Sequence, residues 1–127
     1  MIVGVGIDLV DISRVERLVQ GKGERALVRL FTEQEVQYAT SRARPAMHLA
    51  ARLAAKEAAF KALAGSDDAR LIGWREVEVV SHAHGPPTLA FHGRADLRCR
   101  ELGVYRTHLS LTHTDTSAAA VVVLEQG

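Results

Sequence analysis

One helical segment in the middle of the chain limits the possible fold more than any other feature. Pro45, which suits the first turn of a helix, begins an alanine- and leucine-rich run that continues to about Ala64. At about 100° per residue, the large apolar side chains form one stripe along this helix: Leu49, Leu53, Phe60 and Leu63. Alanines fill most of the other positions, so the helix lacks an ordinary polar face. We therefore expect it to be packed on several sides.

The same helix carries three charges that this burial makes expensive. Lys56 lies inside the arc of the apolar stripe, Glu57 borders it, and Lys61 follows one turn later. A buried charge is costly unless a partner, a metal or a ligand compensates it. One structural alternative is an ion pair between Glu57 and Lys61, four residues apart, worth roughly 0.3 to 0.5 kcal/mol. A ligand or metal site is the functional alternative.

The N-terminal segment predicts a strand followed by a helix. Met1–Ile7 is apolar and β-branched, and Gly4 and Gly6 within it indicate that another element approaches its backbone closely. Asp8 stands at the end of this strand, where it is either a turn or helix cap or a functional carboxylate. Asp11 is expected to cap a helix that stops at the next glycines.

The remaining segments are short and mix helices with strands. Thr32 followed by Glu35 is a capping box, and Gly103 ends the helix GRADLRCREL. Strands are predicted at WREVEVVS, PTLAFH, THLSLTH and SAAAVVVLE, and the AAAVVVL run indicates burial on both faces. The pattern predicts an α+β fold, and 127 residues with 47% hydrophobic content suffice for a single domain over residues 1–127.

Charge and cysteine usage narrow the function classes. Sixteen basic and fifteen acidic residues give a net charge of +1, which argues against disorder and a polybasic tail. Residues 42–61, however, carry five Lys or Arg and one acid, which suits a polyanionic ligand as well as a solvated face. A single cysteine, Cys99, predicts a reducing cytoplasm. No apolar run approaches the roughly 18 residues of a membrane helix.

Four motifs occur together and in order along the chain: VGVGIDLV, FTEQE, AARLAAKEAAFKAL and LSLTHT. In this combination the sequence closely resembles the holo-acyl-carrier-protein synthase family, the small single-domain branch of the 4'-phosphopantetheinyl transferases. The resemblance implies an antiparallel sheet packed with a long central helix and shorter helices. It also implies an enzyme of fatty acid biosynthesis. Such an enzyme transfers the 4'-phosphopantetheine group of coenzyme A to a serine of apo acyl carrier protein, releasing adenosine 3',5'-bisphosphate.

The resemblance also assigns roles to individual residues. Asp8 and Glu57 match the family's ligands of a magnesium ion, and Glu57 and Lys61 match its catalytic positions. Lys56 is left with two roles, an anchor of the helix or a phosphate contact. The predicted coenzyme A contacts are Arg52, Lys61, Pro87, Ser110, Thr112 and His113. Taken alone, Arg52 could be an ordinary solvated arginine and His113 an ordinary structural histidine.

The family's carrier proteins are typically acidic, and this chain offers a basic surface for one. The predicted docking patch, which could equally be a solvated face, comprises Arg14, Arg17, Arg25 and Arg29. The resemblance further implies a homotrimer whose active sites lie between neighbouring subunits. Departures from the family pattern occur at Ala51 and Leu53, in place of glycine and an aromatic residue, and at Pro86, in place of a basic residue.

Two other function classes remain possible on sequence alone. Another magnesium-dependent phosphoester enzyme would use the same carboxylates but would turn over coenzyme A or a nucleotide without a carrier protein. A nucleic-acid-binding module would use the arginines, with binding that falls steeply with salt and does not depend on Asp8 or Glu57. The low aromatic content of 5% disfavours stacking on single strands. We expect neither a nucleic acid nor a membrane as partner.

Overall fold

The chain places strands at its two ends and helices in its middle. A computed structural model describes residues 1–127. Its helices are α1 (Ile12–Lys22), α2 (Glu24–Leu30), α3 (Glu33–Thr40), α4 (Pro45–Leu63) and α5 (Gly93–Leu102), and its 3₁₀ turns are Asp68–Leu71 and Trp74–Glu76. Its strands are β1 (Ile2–Asp11), β2 (Val77–Val80), β3 (Thr88–Phe91), β4 (Val104–His113) and β5 (Ser117–Gln126). None of the helices meets the length and hydropathy needed to cross a bilayer.

Two antiparallel sheets confirm the α+β class. The larger has the strand order β1-β5-β4, so the C-terminal strand pairs with both the N-terminal strand and its own hairpin partner. The smaller consists of β2 and β3. Asp8 of β1 and Leu111 of β4 both pair with Ala120 of β5, so these positions share one face of the sheet. That face is the one covered by α4.

The β5 strand is buried on one face only, contrary to the expectation from its apolar run. Its burial alternates along the strand, and the buried positions are Ala118, Ala120, Val122 and Leu124. On the opposite face, β1 exposes Val5, Ile7 and Leu9 to 58%, 66% and 67%. Val121 and Val123 continue this outer face beside Ile7 and Val5. A single chain thus has one covered and one uncovered apolar sheet face.

The central helix α4 is enclosed, as its composition predicts. Pro45 occupies its first turn, and 12 of its 19 residues are buried. It packs against β1 and β5 and also contacts α1, α3 and β2. Gly4 and Gly6 make the approach to β1 possible, because a Cβ atom at either position would overlap a carbonyl oxygen of α4, that of Ala62 or Ala58 respectively.

This close approach gives a stability prediction. We expect Gly6→Ala to lower the free energy of unfolding by about 3 kcal/mol, because the added methyl group meets backbone rather than a movable side chain. Gly21→Ala is the control: nothing lies within 4 Å of an added Cβ in α1, so stability should rise by about 0.5–1 kcal/mol. Denaturant unfolding measures both, and wild-type stability of Gly6→Ala would contradict the packing described.

Local sequence signals predict several helix ends correctly but place the end of the first strand too early. The capping box of Thr32 and Glu35 is present at α3, and Gly103 ends α5 in the left-handed region. The first strand, however, continues to Asp11 rather than ending at Ile7, so Asp8 lies inside β1 and is neither a turn nor a helix cap. Asp11 precedes α1 but its side chain makes no capping hydrogen bond. Within WREVEVVS, residues 74–76 form a 3₁₀ turn instead of strand.

Candidate functional site

Two carboxylates and two cations meet where β1 crosses α4. Lys61 Nζ lies 3.0 Å from Asp8 Oδ1 and donates to the Ile7 carbonyl oxygen at 2.9 Å. Arg14 of α1 donates from Nη2 to Glu57 Oε1 at 3.1 Å. The alternative ion pair between Glu57 and Lys61 is not formed, since each side chain has a partner on another element. The close passage of α4 over β1 brings the four side chains together.

The pKa values of the two acids diverge. Burial raises the pKa of Glu57, and the adjacent Asp8 carboxyl raises it further, against the opposing effect of Arg14. Burial acts in the same direction on Asp8, but hydrogen bonding with Glu57 and the positive charges of Lys61 and Arg14 outweigh it, so the pKa of Asp8 is lowered. Two neighbouring carboxyls that cannot ionise equally well are an arrangement that a cation would relieve.

The carboxylate pair fits a magnesium ion. Asp8 Oδ2 is buried and accepts no hydrogen bond when both acids are ionised, which leaves a lone pair available to a cation. The structure contains no group of three or more His, Cys, Asp or Glu residues placed to hold a metal. Magnesium needs fewer protein ligands than that, because it usually takes one or two carboxylates and completes its octahedron with substrate phosphates and water.

Lys56, the third charge of α4, anchors the helix. Its side chain is 0% exposed, and Nζ lies 2.8 Å from Glu35 Oε1. It also donates to the carbonyl oxygens of Trp74 and Val77. Glu35 Oε2 in turn accepts from the Val79 amide at 2.8 Å. Lys56 therefore ties α4 to α3 and β2 and has no free N–H left for a phosphate.

Several predicted coenzyme A contacts line one small cavity on the β4 side of α4. The cavity has a volume of about 200 Å³, and its predicted members are Arg52, Pro87, Thr112 and His113. Ser110 is not among them; it pairs with Val121 and lies further from the end of β4 than Thr112 and His113 do. Arg52 is only 4% exposed, so the interpretation as a solvated arginine is wrong. It donates to Ser81 Oγ at 2.7 Å, while its Nε has no partner.

The helix α4 separates this cavity from the carboxylate pair. His48, which lines the cavity, is nine residues before Glu57, so the two side chains project about 180° apart around the helix. Within the sheet, β5 lies between β1 and β4 and keeps these strands about 10 Å apart. The predicted metal ligands and most of the predicted coenzyme A contacts consequently do not line one cavity within one chain.

The predicted docking arginines lie mostly around a second cavity, which we call the docking cavity. It has a volume of about 670 Å³ and is lined by Arg14, Leu18, Gly21, Lys22, Arg25, Ala26, Arg29, Leu30, Leu53 and Trp74. Three of the four predicted arginines are thus together. Arg17 is exposed on α1 and does not line this cavity.

Comparison with known proteins assigns this arrangement to a family. Residues 4–122 match the family model described as the 4'-phosphopantetheinyl transferase superfamily. The chain belongs to this superfamily. Within it, a relative from Thermus thermophilus named holo-[acyl-carrier-protein] synthase is 50% identical over 125 residues, which is 98% of this chain and 94% of the relative.

Solved structures of superfamily members have the same fold. A holo-[acyl-carrier-protein] synthase from Neisseria meningitidis matches with a TM-score of 0.86 and 29% identity, over 99% of this chain and 100% of that one. A holo-(acyl-carrier-protein) synthase from Bacillus anthracis, in complex with coenzyme A (3',5'-ADP), matches with a TM-score of 0.78 and 31% identity, over 100% and 99% of the chains. These matches confirm the resemblance found in the motifs.

Around the superfamily motifs, the structure adds residues that sequence reasoning missed. The Tyr38 ring contacts two guanidinium groups, with Arg52 Cζ 4.3 Å and Arg42 Cζ 4.6 Å from its centroid. His48 packs edge-on against the same ring, and burial together with the charges of Arg52, Arg42 and His113 lowers the pKa of His48. The one available signal was the clustering of aromatic and basic residues in QYATSRARPAMH, which does not reveal the partners.

Proposed function

We propose that this protein transfers the 4'-phosphopantetheine group of coenzyme A to a serine of apo acyl carrier protein, releasing adenosine 3',5'-bisphosphate. The observation that carries this proposal is the carboxylate pair Asp8 and Glu57, flanked by Lys61 and Arg14, beside a basic cavity. Relatives named for this reaction match along nearly the whole chain. The product places the protein in fatty acid biosynthesis.

Magnesium dependence is part of the proposal, with Asp8 and Glu57 as the protein ligands. When bound, the ion would offset the negative charge that develops as the serine oxygen bonds to the phosphate next to the pantetheine arm and the P–O bond within the pyrophosphate breaks, so that adenosine 3',5'-bisphosphate leaves. Lys61 contributes a second positive charge at the same place, because its exposed ammonium group already reaches Asp8. Lys61 therefore binds and orients a phosphate, while Arg14 donates a hydrogen bond to Glu57.

The cavity around Arg52 is the proposed site for the other phosphate-bearing part of coenzyme A. Arg52 offers an unpaired Nε atom, and His113 and Thr112 stand exposed at the end of β4. Positive charge lies close by, since the guanidinium groups of Arg52 and Arg42 both contact the ring of Tyr38, which lines the cavity. An anion bound here would remove the cost of the unpaired buried atom.

Docking of the carrier protein is assigned to the basic surface on α1 and α2. Three arginines and Lys22 line the docking cavity, and Arg17 extends the positive charge along α1. An acidic carrier would be steered to this surface by long-range attraction, which raises the association rate at low salt. Its serine would then approach the carboxylate pair next to Arg14.

A homotrimer with active sites between subunits is supported by two features. First, the carboxylate pair and the Arg52 cavity lie on opposite sides of α4 within one chain. A complete site therefore needs the carboxylate pair of one copy and the Arg52 cavity of a second copy. Second, the outer sheet face leaves Val5, Ile7 and Leu9 exposed beside β5, as expected for a surface that another subunit covers. Sedimentation equilibrium would contradict this state by showing a stable monomer at working concentration.

Shared sites predict that two inactive variants rescue each other. Asp8→Asn removes a carboxylate from the metal-binding half of the active site, and His113→Ala removes a coenzyme A contact from the half formed by the Arg52 cavity. Each variant alone should therefore have low transfer activity. If random mixed trimers form on co-expression, about a quarter of the sites should receive both intact halves and regain activity. Transfer rates of the purified mixed species measure this. Activity no greater than the sum of the separate variants would show that each site lies within one subunit.

Intact mass analysis of the carrier protein tests the reaction itself. Apo acyl carrier protein is incubated with this protein, coenzyme A and magnesium, and should gain the mass of one phosphopantetheine group. A carrier with alanine at the acceptor serine, and a sample with a metal chelator, should stay unmodified. Turnover of coenzyme A without carrier modification would instead indicate another phosphoester enzyme.

We place this reaction in the cytoplasm on the basis of cysteine usage. Cys99 is the single cysteine and lies buried in α5. Burial raises the pKa of its thiol to about 11, so it stays protonated and unreactive. A chain without an internal disulfide suits a reducing compartment.

A further inference from the structure

Arg14 contacts both the carboxylate pair and the docking cavity. Its guanidinium group donates to Glu57 at 3.1 Å, while 46% of its side chain is exposed. The other cations that line the docking cavity, Lys22, Arg25 and Arg29, make no contact with Asp8 or Glu57. Arg14 is thus the one side chain shared by the two surfaces.

The two cations beside the carboxylates differ in how firmly they are held. Lys61 is fixed by two bonds, one to Asp8 and one to the backbone of β1. Arg14 has a single hydrogen-bonded partner, Glu57, and its remaining N–H groups are free for other acceptors. A divalent cation at the carboxylates would add repulsion toward both side chains. Arg14 is the one that can turn outward at low cost.

We propose that Arg14 couples carrier docking to magnesium binding. An acidic carrier protein draws the Arg14 guanidinium group away from Glu57, and the freed Oε1 atom becomes available to the cation. This inference rests on the proposed function, because that function supplies the acidic partner. Both ligands then favour the same outward position of Arg14, so each increases the affinity for the other by the same factor. Arg14 acts as a positioning residue.

Calorimetric titration with magnesium chloride, without coenzyme A, tests the coupling. The protein is titrated alone and with saturating apo carrier whose acceptor serine is replaced by alanine, so that no transfer occurs. In the wild type, the carrier should lower the magnesium dissociation constant about tenfold. Arg14→Gln alone should bind magnesium about tenfold more tightly than the wild type, and the carrier should no longer change this affinity.

Arg25→Gln is the matched control, because Arg25 lines the same cavity without contacting Glu57. Its magnesium affinity should equal that of the wild type without carrier, and the coupling should persist once carrier saturates. Equal magnesium affinities of wild type and Arg14→Gln, or an equal carrier effect in both, would overturn the inference. If the protein modifies the carrier normally but the carrier does not change magnesium affinity, this inference alone is wrong. If the protein does not modify the carrier at all, the proposed function is wrong.

Discussion

Asp8→Asn and Glu57→Gln are each expected to lower kcat for carrier modification by about 100- to 1,000-fold, because each removes a charged oxygen ligand. A bound metal contributes several kcal/mol of charge stabilisation, and each 1.36 kcal/mol corresponds to about tenfold in rate. Folding should be retained. Glu57→Gln loses an ion pair with the half-exposed Arg14, which is worth little, and also removes the repulsion between two partly buried carboxyls.

Transfer rates measured across a range of magnesium concentrations, together with Tm, check this expectation. Glu101→Gln is the control, since it makes the same carboxylate-to-amide change at an exposed position of α5 paired with Arg98. It should keep wild-type kinetics. If both site variants turn over like the wild type at every magnesium concentration, the carboxylate pair does not hold the ion.

Lys56→Met should produce the largest loss of stability, about 3–5 kcal/mol in the free energy of unfolding. Methionine fills the space but leaves the Glu35 carboxylate buried without its cation, and it frees the carbonyl oxygens of Trp74 and Val77. Such a loss is a large part of the stability of an ordinary domain. Denaturant unfolding at one fixed protein concentration measures it, because oligomers unfold in a concentration-dependent way.

Lys61→Met provides the contrast on the same helix. Lys61 is exposed and its pair with Asp8 is solvated on one side, so its loss should change stability by less than about 1 kcal/mol. Combining Lys56→Met with Glu35→Gln should cost less than the sum of the single changes, because the double variant leaves no unpaired buried charge. Wild-type stability of Lys56→Met would mean that the buried pair does not hold α4 in place.

Features determined by neighbours in sequence were predictable. The capping box at Thr32 and Glu35 needs only two side chains three residues apart, and Pro45 and Gly103 act through their own backbone preferences. The enclosed character of α4 followed from its alanines. Gly4 and Gly6 correctly indicated a close approach, although the sequence did not say which element approaches.

Partners distant in sequence were not predictable from spacing. Arg14 and Glu57 are 43 residues apart, and Lys61 and Asp8 are 53 apart, so helix periodicity instead suggested the local pair of Glu57 and Lys61. For the same reason, spacing did not predict the ion pair between Lys56 and Glu35. Which chain covers the second face of the sheet could not be predicted for a different reason. An apolar strand has the same sequence pattern whether that face is covered by its own chain or by another subunit.

Trp74 gives the protein a built-in optical reporter. It is the only tryptophan in the chain, its ring packs edge-on against Phe60 with centroids 5.1 Å apart, and it lines the docking cavity with Arg14 and Arg25. Tryptophan emission therefore originates from one place, beside the surface assigned to the carrier. Occupation of that cavity changes the polarity around the indole, so the encounter can be followed in real time by intrinsic fluorescence, without attaching a dye to either protein.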